Sequence, residues 1–309
     1  MKLGELSARE RRQRLAQGEL VIRAGPFRYR IESRLAGIEQ GLALLYADYP
    51  LAEPDEFADF SLKMEEGAGL HRWWRRQVRF SSDGVYPFEP LPQGHAYAQL
   101  EWAMNWCVST QAHHYLMLHA AVVEREGFAA ILPAPPGSGK STLCAALVHR
   151  GWRLLSDELA LISLDEALIT PAVRPIGLKN QSIPLLQAYA PEAVLSPVTH
   201  GTSKGSVAHL RVPGAQLARM DESARPRWVV FPKYVAGAAP SLQPQPRGRS
   251  MLDLGANSFN YTLLGLQGFE ALARVVSACD CYRFDYSRLD DAIAVFDQLA
   301  RAAAEAGHG

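Results

Sequence analysis

The sequence predicts an α/β fold, a core built on a strand, a glycine-rich loop and a helix, with a smaller α+β module in front of it. Three observations predict it. The apolar run Phe128 to Leu132 leads straight into Ala134-Pro-Pro-Gly-Ser-Gly-Lys-Ser-Thr142. A helical pattern from Ser141 to Arg150 follows, and then a short strand pattern, Trp152 to Ser156. Before all of these, short strand-like runs and helices mix up to about Gln111. At 309 residues the chain has room for two units of about 150 residues each. The expected division is 1–110 for the first module and 111–309 for the second.

Composition narrows the function classes. With 48% hydrophobic and 21% charged residues, the chain is neither disordered nor fibrous. Lys and Arg total 32, as do Asp and Glu, so no overall field points to nucleic acid or to an anionic membrane. No apolar run reaches the roughly 18 to 20 residues of a membrane span. The charged N-terminus lacks the apolar stretch of a secretion signal, so a cytoplasmic protein is expected. Cys107, Cys144, Cys279 and Cys281 form no pair of CxxC motifs and read as small buried apolar residues.

In the first module, Leu20 to Arg23 and Phe27 to Ile31 read as strands around a Gly25-Pro26 turn. Leu35 to Tyr46 reads as a helix. Phe60 to Met64 and Gln77 to Phe80 read as strands, with a turn at Asp83-Gly84. Pro87 to Gly94 reads as a linker and Ala96 to Met117 as a helix. The second module opens with a hairpin, Leu118 to Glu124 and Phe128 to Pro133. Ser196 to Gly205 and Ala236 to Gly248 read as surface loops. Leu289 to Ala304 is a closing helix. The basic run Arg9, Arg11, Arg12 and Arg14 reads as one solvated helix face. Trp73-Trp74-Arg75-Arg76 resembles a base-stacking patch, but zero net charge argues against nucleic acid.

The chemistry is concentrated in Ala134, Pro135, Pro136, Gly137, Ser138, Gly139, Lys140, Ser141 and Thr142. Backbone N–H groups of such a loop wrap phosphate oxygens, and the helix N-terminus adds a positive dipole end. Gly137 and Gly139 permit backbone angles that side chains forbid. Lys140 can reach the β- and γ-phosphates, and Ser141 can bind Mg²⁺. Ten helical residues carry the chain roughly 15 Å away, and five strand residues return it by roughly 16 Å. Asp157 and Glu158 are therefore expected level with the loop, at the carboxyl end of an adjacent parallel strand. One acid there can hold Mg²⁺ while the other takes a hydroxyl proton.

These residues resemble the bacterial HPr serine kinase/phosphorylase family and its phosphoenolpyruvate carboxykinase-like relatives. That resemblance runs from about Leu118 to Ile162. The whole chain looks closest to the divergent group called HprK-related kinase A, through Glu101-Trp-Ala-Met-Asn-Trp-Cys, Leu118-His-Ala-Ala, Gly151-Trp-Arg-Leu-Leu-Ser-Asp-Glu, Arg174-Pro-Ile-Gly-Leu-Lys-Asn and Lys204-Gly-Ser-Val-Ala-His. The resemblance implies that Lys140 grips phosphate and Ser141 and Asp157 serve Mg²⁺. It also implies that His119 is an active-site histidine and Glu158 the general base; which acid is the base stays open. Arg174 and Lys179, five apart around Pro175, can neutralise a transferring phosphoryl. Asn180, Lys204, His200 and His209 are further candidates.

The function expected is ATP- and Mg²⁺-dependent phosphoryl transfer to a hydroxyl, with Ser or Thr of a protein or peptide leading. A small-molecule kinase and a nucleotide-dependent binding module in a peptide-modification pathway are the alternatives. No nucleic-acid or membrane partner is expected, and a homo-oligomer is compatible with the sequence.

Overall fold

Strict alternation of apolar and polar residues sets the first sheet. In the computed structural model, which describes residues 1–69, 74–135 and 137–307, helix α1 (Ala8–Gln17) precedes strands β1 (Leu20–Ala24) and β2 (Phe27–Ser33). Phe27, Tyr29 and Ile31 point into the core, as a period of two requires. Helix α2 (Ala36–Leu45) follows, then β3 (Leu51–Ala52), β4 (Phe60–Glu66), β5 (Gln77–Ser82) and β6 (Leu91–Pro92). These form a six-stranded sheet in the order β3-β1-β2-β4-β5-β6, with β2 and β4 parallel. The solvated-face reading of α1 is corrected at Arg11, whose guanidinium is largely buried and bonds Glu39 of α2 at 2.9 Å. Trp73 lies outside the described residues.

Two boundaries differ from expectation. Pro87 to Gly94 is not a plain linker, because β6 pairs with β5 at the sheet edge, where a proline needs no ladder partner. Helix α3 (Ala96–Gln111) stops six residues before Met117. From Tyr115 onward the chain is claimed by strand pairing, and the Met117 N–H is taken by Asn260 Oδ1 at 2.9 Å. Tertiary partners override the local helical preference.

Strand β7 (Tyr115–Arg125) and β8 (Phe128–Pro133) form the expected hairpin, β7 starting three residues early. After the loop come α4 (Lys140–His149), β9 (Arg153–Ser156), β10 (Leu159–Ser163), β11 (Ile169–Thr170) and β12 (Ile176–Lys179). Helix α5 (Ser182–Tyr189), β13 (Thr199–Thr202), β14 (Gly205–Leu210), α6 (Gly214–Leu217) and β15 (Arg225–Tyr234) follow. The chain closes with β16 (Ser241–Pro244), α7 (Arg247–Ala256), α8 (Tyr261–Leu264), α9 (Leu266–Ala278), β17 (Asp280–Tyr286) and α10 (Leu289–Gly307). Both segments expected as surface loops therefore contain strands. β13 pairs β14 around Ser203-Lys204, and β16 pairs the edge of β17.

The second sheet is eight-stranded, ordered β11-β10-β7-β8-β15-β17-β16, with β9 also on β7. A third sheet runs β12-β14-β13. Alternation along β7 and β8 again divides the faces. Met117, Ala121, Val123, Ala130 and Leu132 share a core with Leu143 and Leu147 of α4 and Phe296 of α10. Leu118, Ala120, Val122, Ala129 and Ile131 share another with Leu254, Leu272 and Val275 of α7 and α9. Helices thus cover both faces, which makes the chain a mixed α/β protein. The first core continues into the six-stranded sheet through α3. All four cysteines are buried and free. No helix among the described residues is long and apolar enough to cross a membrane.

One packing contact has a testable sign. A Cβ on Gly41 of α2 would lie 2.0 Å from the Tyr97 ring. In an open helix Gly to Ala gains about 1 kcal/mol. Here the ring must swing away and lose its bond to Glu101, at a cost of about 1–3 kcal/mol. Gly41→Ala is expected to lower the melting temperature. A variant melting at or above wild type would show that Tyr97 is not held as described.

Candidate active site

The loop between β8 and α4 is built from the backbone. Gly137 and Gly139 have φ of +86° and +90°, the region that favours glycine. A Cβ on Gly139 would also lie 2.6 Å from Tyr286 Oη. That hydroxyl donates to the Gly139 carbonyl at 3.2 Å, and the Tyr234 N–H donates to the Ser138 carbonyl at 3.0 Å. Tyr234 and Tyr286 end the parallel strands β15 and β17, so the loop is pinned from the carboxyl edge of the sheet. The first turn of α4 leaves its N–H groups without intrahelical acceptors, facing the loop. Lys140, the first residue of α4, is buried, and its Nζ has no hydrogen-bond partner. Burial pushes its pKa down, against the pull of Glu158 and Asp157.

A cavity of about 830 Å³ opens beside this loop. It is lined by every described residue from Ala134 to Thr142 and by His119, Asp157, Glu158, Arg174 and Lys179. Pro136 lies outside the described residues. The strand arrangement that brings the acids there differs from the expected one. β9 runs in the same direction as β8 but is not its neighbour, because β7 and β15 already occupy the two edges of β8. β9 and β10 sit on the other edge of β7, with Ser156 opposite Val122 and Leu159 opposite His119. Asp157 and Glu158 span the bend between them. Pro133, at the end of β8, lies opposite Ala120. Acids and loop therefore flank the same short stretch of β7, two strand spacings apart, about 10 Å.

The two acids stand in different fields. Asp157 is buried, and its Oδ2 accepts the Gly177 N–H at 2.7 Å. Burial, and then the charge of Glu158, push its pKa up to about 6. Burial also works against the Glu158 charge, but Lys204, Lys179, Lys140 and Arg174 together hold it below the usual carboxylate range. Glu158 Oε2 accepts from Asn105 Nδ2 at 2.7 Å. The Asn105 amide is oriented in turn by Arg174, whose Nη2 donates to its Oδ1. Arg174 Nη1 donates to the Glu101 carbonyl at 3.2 Å and lies 3.4 Å from Glu101 Oε2. Tyr46 and Tyr97 hydroxyls donate to the same carboxylate at 3.2 and 2.5 Å.

The remaining candidates divide. Arg174 lines the cavity, but its guanidinium is committed to Glu101 and Asn105. Burial, and then Lys140, push His119 down to about 4, so at pH 7 it is a neutral imidazole rather than a phosphate-binding cation. Lys179 is exposed at the end of β12, and Lys204 Nζ stands 5.1 Å from the centre of the Trp102 ring. Asn180 spans to the β13–β14 hairpin, accepting the Ser206 N–H at 3.0 Å. His209 is buried against Tyr97, at 5.6 Å between ring centres. His200 bonds Ser206 at 2.9 Å and does not line the cavity. Sequence reasoning missed Trp102, Asn105, Tyr234 and Tyr286. The i, i+4 pair Glu101 and Asn105 in the otherwise apolar stretch Leu100–Val108 was the available signal.

A second cavity of about 310 Å³ shares Trp102, Asn105, Glu158 and Lys204 with the first; Asp157 lines only the first. Among the described residues no group of three His, Cys, Asp or Glu side chains could hold a metal. Ser141 and Asp157 both line the larger cavity; one hydroxyl and one carboxylate would suit Mg²⁺ only with water and phosphate oxygens completing its shell.

No family profile matches the chain, and no curated protein does. A solved structure of the HPr(Ser) kinase/phosphatase from Coxiella burnetii superposes with a TM-score of 0.31 at 11% identity, covering 62% of this chain and 99% of that one. A likeness so slight does not fix the fold.

The raised pKa of Asp157 has a consequence for stability. Between about pH 4 and pH 6 the folded protein keeps a proton that the unfolded chain has released. Stability contributed at this site therefore falls as pH rises through that window. Asn at position 157 can still accept the Gly177 N–H but carries no charge. Asp157→Asn is expected to stabilise the free protein at pH 8, on the order of 3 kcal/mol, and by less as the pH approaches 4. Denaturant unfolding at the two pH values reads this; equal destabilisation at both would contradict the buried, disfavoured charge.

Proposed function

We propose that the chain is an ATP- and Mg²⁺-dependent kinase that transfers the γ-phosphoryl group to a hydroxyl, that of Ser or Thr in a protein or peptide. The observation that carries this reading is Lys140, a buried ammonium with no partner, at the mouth of a glycine loop and a helix N-terminus. A buried unpaired charge is costly unless a ligand completes it. Phosphate oxygens at this position would do so. The paired acids favour transfer over binding alone, since a binder needs no second acid beside the metal ligand. The resemblance of Leu118 to Ile162 to HPr serine kinases supports the same assignment, with 1–110 and 111–309 as the two units.

The two acids take different roles in this reading. Asp157 lines only the cavity beside the loop and serves Mg²⁺ with Ser141; the metal, when bound, neutralises phosphate charge. Glu158 faces both cavities and takes the proton of a hydroxyl arriving from the far side. A carboxylate held below its usual range is a weak base in the free protein. Phosphate charge beside Lys140, Lys179 and Lys204 would offset their field and raise Glu158 toward a useful pKa. Asn105 positions the Glu158 carboxylate, and the amide is fixed by Arg174. Lys179 and Lys204 stand over the space where charge develops. His119, neutral, contributes hydrogen bonding only.

Two outcomes are expected. Lys140→Met removes an unpaired buried charge, so the free protein should melt no lower than wild type while stabilisation by Mg·ATP disappears. Glu158→Gln should slow single-turnover phosphoryl transfer by about 10²-fold or more with Mg·ATP stabilisation intact. Persistent Mg·ATP stabilisation in the first variant, or a wild-type rate in the second, would overturn the respective assignment.

A further inference from the structure

The wall shared by the two cavities consists of Trp102, Asn105, Glu158 and Lys204. Beyond it the smaller cavity is aromatic. Phe88 and Trp106 meet edge to face at 5.9 Å, backed by Phe80 at 5.6 and 6.2 Å. Phe259 closes the other side. Its backbone is fixed, with the Phe259 N–H donating to the Met117 carbonyl at 2.9 Å and the Asn260 amide bonding the Tyr115 carbonyl at 2.8 Å. Yet the residue is 47% exposed. A large ring on a fixed backbone, half wet and lining the cavity, is placed to bury apolar surface when something enters.

We infer that this second cavity is the acceptor subsite, and that it takes an aromatic or large aliphatic side chain flanking the reacting hydroxyl of a peptide. The inference rests on the kinase reading above. About 310 Å³ is at the low end for ligand pockets, enough for one such side chain. With that side chain seated, the neighbouring hydroxyl meets Glu158 at the dividing wall, opposite the phosphate loop. Its oxygen forms the new bond to the γ-phosphorus, the bond to the β–γ bridging oxygen breaks, ADP leaves, and Glu158 takes the proton. A peptide is chosen over a small molecule because the residues that follow Phe259 in the chain also leave large apolar side chains exposed, Leu263 on α8 and Leu266 and Phe269 on α9, surface that a small acceptor would not use.

Ser109 and Phe259 line the second cavity and not the first. Ser109→Phe plugs it, and Phe259→Ala removes one wall; if the first variant misfolds, the second carries the test. The full chain is incubated with γ-labelled ATP, Mg²⁺ and a seven-residue peptide library with a central Ser, one flanking position scanned at a time. Mg·ATP thermal shifts are measured in parallel. Wild type should prefer an aromatic or large aliphatic residue over Ala at one flanking position by about tenfold, the worth of one modest buried contact. Both variants should lose most of that preference with the Mg·ATP shift unchanged. Uniform labelling at all positions, or a preference that both variants retain, overturns the subsite and leaves the kinase reading standing. A library left unlabelled by a protein that Mg·ATP still stabilises overturns the peptide acceptor and the subsite with it. Absence of any Mg·ATP shift in wild type overturns the kinase reading itself.

Discussion

Strand β7 is the constraint on which the site depends. Its residues are held on one edge by β8 and on the other by β9 and β10. The hairpin partner β8 delivers the glycine loop, and the bend between β9 and β10 delivers the acids. A slip of one residue in either pairing would turn every side chain of the slipped strand to the opposite face. The apolar alternation of β7 opposes such a slip, because Met117, Ala121 and Val123 would have to exchange cores with Leu118, Ala120 and Val122. The spacing between glycine loop and acids is thus guarded by two hydrophobic cores.

The geometry of the loop was legible because it is written in adjacent residues. Glycines at positive φ, a helix start and a lysine at fixed spacing are written in consecutive residues. The return of Asp157 and Glu158 was legible because helix and strand rises add predictably, even though the intervening neighbour was mistaken. The arithmetic constrains how far the chain travels along its axis and says nothing of which edge it joins. What stayed hidden depends on distant partners. Arg174 reads as a free cation until Glu101 and Asn105 are placed around it. His119 reads as a phosphate ligand until burial and Lys140 set its charge. Tyr234 and Tyr286 lie about 100 and 150 residues from the glycines they pin, and no periodicity announces them.

Electrostatics at the site is organised by inequality. Two adjacent carboxylates share one cleft, yet one leans toward protonation and the other toward charge. The separation comes from environment: Asp157 is buried, accepts one backbone amide and feels the Glu158 charge, while Glu158 accepts an amide side chain and faces several lysines. Pairs of titratable groups driven apart in this way are typical of sites that divide labour between acids.

The hydrogen-bonded chain from Glu101 through Arg174 and Asn105 to Glu158 bears on the order in which the molecule acquires its properties. The strand, loop and helix that surround Lys140 occupy one short continuous stretch, 128–149, yet β8 pairs with β15 and the loop is pinned by Tyr234 and by Tyr286, the latter 147 positions from Gly139. The bonds that aim Glu158 join residues 53, 69 and 73 positions apart. Contacts of such long range are slow to form, because closing the intervening chain costs entropy first. On a nascent or partly unfolded chain neither the glycine loop nor the Glu158 carboxylate is therefore held in place until distant strands have joined. The two sides of the larger cavity come together only when the last long-range contacts close.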